Sequence, residues 1–317
     1  MTLRPLGRTS LSIEPLVLGG NVFGWTLDEA QSFAVLDAFA ERGFTAIDTA
    51  DSYSKWVEGN AGGESETIIG AWLKARGNRD GLVIATKAGT RLDRDGTDLS
   101  GAYIESACEA SLRRLGIEQI DLYQAHWPDP TVTHEETLRA FENLLVSGKV
   151  RHIGCSNYDG ALLREALAVA DANGLPRYET VQNEYNLYAR GAFEGEVQDL
   201  VLREGLGVIV YYGLAAGFLT GKYRSEADFS KSRRGGSMGK YLNPRGLAIL
   251  AAMDGVAQET GAALAEIALA WLAAQPGVTA PIASATSVEQ VESLVRGARL
   301  TLSPDQLAAL TAAGEGL

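Results

Sequence analysis

The stretch LVIATKAGTRLDRDGTDLSGAYIESACEASLRRLGIEQIDLYQAHW, residues 82–127, sets two short apolar runs on either side of one helical pattern. The runs LVIATK (82–87) and IDLYQAHW (120–127) are near-continuous in apolar residues, as a strand covered on both faces requires. Between them GAYIESACEASLRRLG (101–116) has helical periodicity and closes on Gly116, a residue suited to the left-handed turn at a helix end. Strand, helix and parallel strand make one βα unit of the usual length.

The same unit recurs outward in both directions. Further strand-like runs are PLVLGG (15–20), FTAIDTA (44–50), VRHIGCSN (150–157), ETVQNEY (179–185), GVIVYYG (207–213) and TAPIASAT (279–286), which brings the total to eight. Helical patterns fill the intervals at 28–43, 64–77, 135–149, 158–174 and 287–298, and Gly43, Gly77 and Gly174 close three of them. Eight alternations predict an α/β chain folded as a closed (β/α)8 TIM barrel, a single domain over residues 1–317. The competing open, doubly wound sheet usually carries G-x-G-x-x-G after its first strand, and that motif is absent.

One interval breaks the rhythm. Between Gly213 and Thr279 lie a long loop and two helical stretches, 246–261 and 263–275. The loop segment GKYRSEADFSKSRRGGSMGKYLNPR (221–245) holds seven basic residues against Glu226 and Asp228. It reads either as a solvated surface loop or as a cationic lid, since barrels often bind phosphate near strands seven and eight.

Composition bounds the partners. The 317 residues carry a net charge of −12, are 46% hydrophobic and include only two cysteines, Cys108 and Cys155. This is a globular composition that disfavours nucleic acid and anionic membranes and does not support a disulfide framework. No 18-residue apolar run occurs. The opening MTLRPLGRTSLSIEPLVLGG lacks a signal-peptide pattern, so a cytoplasmic protein is the expectation. The histidines His126, His134 and His152 have no metal-ligand spacing, and no metal is expected. His152 reads as a core position of strand five, and Cys155 as packing.

In such barrels chemistry sits where strands end. The polar residues there are Asp48, with Tyr53 just beyond, then Lys87, His126, Ser156, Asn157, Gln182 and Tyr211. Each alone has a structural explanation: a cap, an ion pair, a loop aromatic, a core histidine. Together they make a proton-transfer site. A lysine beside a tyrosine hydroxyl is expected to lower its pKa, a carboxylate holds the lysine, and a histidine orients a carbonyl oxygen. Hydride transfer to an aldehyde or ketone needs such a general acid.

The stretches RPLGRTSLSIEPLVLGG, AIDTADSY, SETIIGAWLK, VIATKAG, IDLYQAHWPD, GKVRHIGCSN, VQNEYNLYAR, GFLTGKY and PIASATSVEQ, in this order, resemble the aldo-keto reductase superfamily along almost the whole chain. The resemblance implies a (β/α)8 barrel that binds a nicotinamide dinucleotide without a Rossmann domain. It implies a catalytic set of Asp48, Tyr53, Lys87 and His126. It assigns Ser156, Asn157 and Gln182 to the cofactor carboxamide, Tyr211 to stacking on the nicotinamide, and the segment from Leu214 through Leu219 to Lys222 to the pyrophosphate. Ser284, Thr286 and Gln290 fall at the adenosine end. Two departures stand out. Tyr212-Gly213 replaces the usual Ser-Pro or Phe-Pro, and strand eight lacks the basic residue that relatives use for a 2′-phosphate. Leu294 also replaces a common Asn. NADP(H) is favoured on the resemblance, NAD(H) stays possible, and Lys222, Arg233 or Arg234 are candidates for the missing charge.

Asn21, Trp25, Trp56 and Trp127 are the expected substrate-binding residues, with Phe23, Tyr188 and Phe218 beside them; flat aromatic walls suit sugars, aromatics or polycyclic ketones. The leading expectation is an NAD(P)(H)-dependent reductase of a small-molecule aldehyde or ketone, with Tyr53 as acid. The alternatives are an NAD-dependent sugar or polyol dehydrogenase of the same fold and a cofactor-sensing regulatory subunit.

Overall fold

In the computed structural model, which describes residues 2–232, 235–313 and 315, eight parallel strands close into a barrel. They are β1 (Val17–Gly19), β2 (Ala46–Asp48), β3 (Val83–Ala88), β4 (Ile120–Ala125), β5 (Val150–Ser156), β6 (Thr180–Gln182), β7 (Gly207–Val210) and β8 (Ala280–Ala283). Each pairs with its neighbours in sequence, and β8 closes on β1 through Ile282 opposite Val17. All eight strand expectations fall on these elements.

The surrounding helices are α1 (Glu29–Glu41), α2 (Glu64–Arg76), α3 (Gly101–Leu115), α4 (His134–Val146), α5 (Gly160–Asn173), α6 (Glu196–Glu204), α7 (Pro244–Thr260), α8 (Leu264–Ala273), α9 (Val288–Arg299) and α10 (Pro304–Ala313). Local chemistry sets their ends. Asp28 caps α1 by accepting from Gln31 N, Asp159 caps α5, Asn243 caps α7 ahead of Pro244, and Ser287 caps α9. Gly77, Gly116 and Gly174 close α2, α3 and α5 in left-handed conformations. The nine-residue α6 lies outside the helical stretches named from periodicity.

The apolar residues form two layers. The larger cluster, including Trp72, Phe141 and Trp271, lies between strands and helices. The smaller fills the barrel interior with Val17, Ala46, Ala85, Leu122 and Ile209, and Leu6, Leu11 and Ile13 join it from below. Those three belong to an N-terminal hairpin, Arg4–Pro5 paired with Ser12–Ile13, that plugs the N-terminal end of the barrel. Two-residue strands leave no periodicity in a sequence, so the plug emerges only in three dimensions.

The plug meets the floor backbone to backbone. Gly7 has φ +61°, and a Cβ there would lie 2.2 Å from Gly207 N and 2.9 Å from Glu179 O. Gly7→Ala is expected to lower the unfolding free energy by about 1–3 kcal/mol through strain and overpacking. A urea midpoint that does not move, at constant slope, would show that the hairpin is not held this closely.

Candidate active site

Lys87 is the pivot. Its side chain is 1% exposed near the C-terminal end of β3, and its ammonium donates to Asp48 Oδ2 at 2.7 Å, Thr49 O at 2.8 Å and Tyr53 OH at 3.0 Å. All three donors are thereby used. Asp48 ends β2, and its second oxygen accepts from Gln182 Nε2 of β6 at 2.9 Å. Burial works against the ammonium, but Asp48 and then Tyr53 outweigh it, so its pKa rises and it stays charged.

Because an ammonium only donates, the Tyr53 oxygen accepts from it, and the phenolic proton is free to point elsewhere. Tyr53 lines the cavity above. Its pKa moves opposite to the sequence expectation. Burial raises it most, Lys87 lowers it, Asp48 raises it again, and the net shift is upward. The sign differs because burial of the phenol outweighs the lysine, whose own counter-ion Asp48 adds to the rise. Tyr53 is therefore a protonated phenol at neutral pH, an acid in waiting.

His126 follows β4, its ring 6.0 Å from that of Tyr53 at 68°. Burial, then the Lys87 charge, push its pKa well below the usual histidine value, so the imidazole is neutral. Nδ1 lies 3.4 Å from Thr90 Oγ1.

On the far side Ser156 Oγ donates to Gln182 O at 2.7 Å. Asn157, at φ +63°, donates from Nδ2 to His126 O (2.9 Å) and to Ser156 Oγ (3.1 Å), and its Oδ1 accepts from Tyr211 OH at 2.6 Å. The Tyr211 ring is thus held by its hydroxyl. Ser284 Oγ donates to Asn21 Oδ1 (2.6 Å), and Gln290 Oε1 accepts from Thr286 N (2.8 Å).

A single cavity of about 1420 Å³ is lined by Asn21, Asp48, Tyr53, Trp56, His126, Trp127, Ser156, Asn157, Gln182, Tyr211, Leu214, Lys222, Ser284, Thr286 and Gln290. Most small-ligand sites occupy roughly 300–1,000 Å³, so this one has room for a dinucleotide and a substrate together. Three expected residues lie behind the wall. Lys87 sits beneath Tyr53; Leu219 is fully buried in the core; Trp25 packs edge-on against Trp56 at 5.6 Å. Phe23 and Phe218 are core, and Tyr188 bonds Lys240 O.

The segment after β7 fits a phosphate-bearing group. Tyr212, Ala215, Ala216 and Gly217 all have positive φ; the Ala215 and Gly217 N–H groups bond Tyr212 O and Leu214 O, which ties the turn together beside Lys222. A Cβ on Gly217 would come 3.6 Å from the Lys222 ammonium. Among the described residues, Lys222 and Lys55 are the lysines of the lining, and no arginine joins them. The other described cations of the basic loop are engaged away from the cavity. Arg224 pairs with Asp254, Lys231 with Asp228, and Lys240 and Arg245 lie over the rings of Tyr241 and Tyr188. Arg233 and Arg234 lie outside the described residues.

The cavity also contains Glu184, Lys55 and Asp95, which neither the strand-end pattern nor the resemblance assigned, and Tyr212, which stood out only as a departure from the family pattern. Glu184 was legible, two positions beyond Gln182. Lys55 was not: its Nζ donates to Arg91 O (2.8 Å) and Arg94 O (3.1 Å), clipping two loops together. Asp51, inside DTADSY, is buried with no side-chain hydrogen bond to either carboxyl oxygen; burial and then the nearby Glu66 push its pKa well above normal, which favours its protonated form.

Residues 15–315 match the family model described as Aldo/keto reductase family. The chain is 32% identical to Protein tas of Escherichia coli over 98% of its own length and 97% of that protein. It is 35% identical to the uncharacterized oxidoreductase YrpG of Bacillus subtilis, covering 95% and 92%. It is also 32% identical to a probable voltage-gated potassium channel subunit beta of Arabidopsis thaliana, covering 92% and 89%.

His126, half-buried and with its pKa pushed well below the usual histidine value, is expected to show no titration near about pH 6.5 or above, where the uncharged form holds. Imidazole proton shifts read by NMR check this; an inflection near pH 6.5 assigned to His126 would contradict the burial argument.

Proposed function

The chain belongs to the aldo/keto reductase family, and we propose that it reduces a small-molecule aldehyde or ketone to the alcohol, with Tyr53 as the proton donor. The observation that carries this reading is the Lys87 ammonium, bonded at once to Asp48, Thr49 O and Tyr53 beneath an open cavity.

The nicotinamide, when bound, supplies the hydride. Tyr53 donates its free phenolic proton to the carbonyl oxygen as negative charge builds there. The phenolate left behind is stabilised by the adjacent Lys87 ammonium, which Asp48 keeps in place. Neutral His126 directs an N–H at the same oxygen without adding a second positive charge beside Lys87. Ser156, Asn157 and Gln182 hold the carboxamide, and the hydroxyl-anchored Tyr211 ring provides a stacking face. Leu214 and Lys222 take the diphosphate, with Leu219 supporting that turn from the core. Ser284, Thr286 and Gln290 take the adenosine end.

Trp56 and Trp127 are 52% and 43% exposed at the cavity mouth, with Trp25 supporting Trp56 and Asn21 close to the cofactor wall. These aromatic faces, with the Glu184 and Asp95 carboxylates, also favour a second reading, oxidation of a sugar or polyol in the reverse direction. A purely regulatory, cofactor-sensing role would predict no turnover on any carbonyl. The net charge of −12 and the small-molecule cavity support a cytoplasmic enzyme without nucleic-acid or membrane partners.

Tyr53→Phe is expected to cut turnover by at least about 10²-fold while cofactor still binds. Near-normal turnover in that variant would remove Tyr53 from the mechanism. NADPH is favoured on family grounds, but the adenosine wall offers hydroxyls and an amide rather than cations. Tryptophan-fluorescence titration is therefore expected to show NADPH ahead of NADH by less than about tenfold, or 1.4 kcal/mol. A larger preference would mean that a cation outside this wall reads the 2′-phosphate.

A further inference from the structure

The N-terminal end of the barrel, opposite the cavity, carries a second ordered set of polar groups. Ser10 is exposed at the tip of the hairpin, and both its N–H and its Oγ lie within hydrogen-bond distance of His152 Nε2, at 3.2 and 2.9 Å. The other nitrogen, Nδ1, lies 2.6 Å from Glu179 Oε2. His152 is therefore not the core residue its place in β5 suggested; its side chain is 14% exposed on the floor.

The backbone N–H of Ser10 can only donate, so Nε2 is the accepting, unprotonated nitrogen. The ring proton is then on Nδ1, where Glu179 accepts it. With no proton on Nε2, the Ser10 hydroxyl also donates to it, sharing the single lone pair of that nitrogen with the Ser10 N–H. This is the polarity of a nucleophile, a base and the group that orients the base. Anchoring the hairpin would need only the backbone N–H. The hydroxyl as a second donor and the carboxylate on the far nitrogen go beyond that need. The parts are also rigid: Glu179 is tied by its N–H to Ile153 O and by its carbonyl to Gly207 N, and the neighbouring Thr9 hydroxyl is spent on Leu6 O.

Ser10 borders a groove of about 1040 Å³ whose lining holds five basic residues, Lys74 and Arg113 among them, against Asp80, Glu118 and Asp121, a net positive charge. We propose that Ser10 is an activated nucleophile that accepts acyl groups from esters with an anionic acyl chain, with His152 as base and Glu179 as its orienter. Ser10 Oγ bonds to the ester carbonyl carbon as its proton passes to His152 Nε2. The ester C–O bond breaks, and that proton leaves with the alcohol. Water then attacks the acyl-serine, releasing the acid and returning the proton to Ser10.

The test uses the full-length protein with mono-4-nitrophenyl succinate, and 4-nitrophenyl acetate as the neutral comparison. The expected result is nitrophenolate release faster with the succinate, with succinyl mapped to Ser10 by peptide mass spectrometry. Release should fall at least about tenfold in Ser10→Ala, His152→Gln and Glu179→Gln. Glu179→Gln still accepts from Nδ1, so it keeps the hairpin anchored. Cofactor binding at the opposite end reports that each variant is folded. Acylation at other residues, equal release from Glu179→Gln, or preference for the acetate would overturn the proposal.

Discussion

A lysine ammonium buried at the top of a β-barrel cannot exist without its counter-ion, and this requirement organises the site. Lys87 and Asp48 are each 1% exposed. Removing one partner of such a pair strands the other charge at a cost of about 3–5 kcal/mol. The barrel register meets the requirement directly: β2 and β3 pair with Asp48 opposite Ala85, which puts Lys87 within reach two residues further along. Gln182, from across the barrel, takes the remaining carboxylate oxygen. Three strands are thus tied at their ends by one charge pair. The position and hydrogen-bond polarity of Tyr53 follow from it.

Charge is economised elsewhere in the molecule. The wall proposed for the cofactor is built from hydroxyls, amides and a backbone turned into left-handed conformations after Tyr211, with Lys222 beside that turn. The basic loop, which the sequence left open as a solvated loop or a cationic lid, contains short 3-10 segments, Glu226–Lys231 and Gly235–Lys240, with ion pairs to Asp228 and to Asp254 of α7 and a cation–π contact on Tyr241. Of the five described cations of the loop, Lys222 lines the cavity and the other four are engaged elsewhere.

The barrel was legible because each strand is a short apolar run and each helix carries its own stop. Asp48, Lys87, His126 and Gln182 were legible as positions because a strand end is a location the pattern itself marks. Other features left no such mark. Leu219 belongs to a stretch similar to the family's diphosphate segment, yet its side chain turns into the core, and Trp25 stands behind Trp56. Side-chain direction in an irregular loop depends on what the loop packs against. His152 sits in a buried-looking run but reaches a hairpin residue 142 positions away. The upward pKa shift of Tyr53 depends on burial and on Asp48 acting together with Lys87.

The sequence by itself determined the alternation of strands and helices, the caps and glycine stops, and which residue types stand at the strand ends. These rest on interactions within a few positions along the chain and on apolar periodicity. Only the tertiary structure decided that three Lys87 hydrogen bonds converge on Asp48, Thr49 and Tyr53, which cations face the cavity, and that a two-residue-stranded hairpin plugs the floor. Each of these depends on distances between segments far apart in sequence and on the dielectric they enclose. Both arise only when the barrel closes.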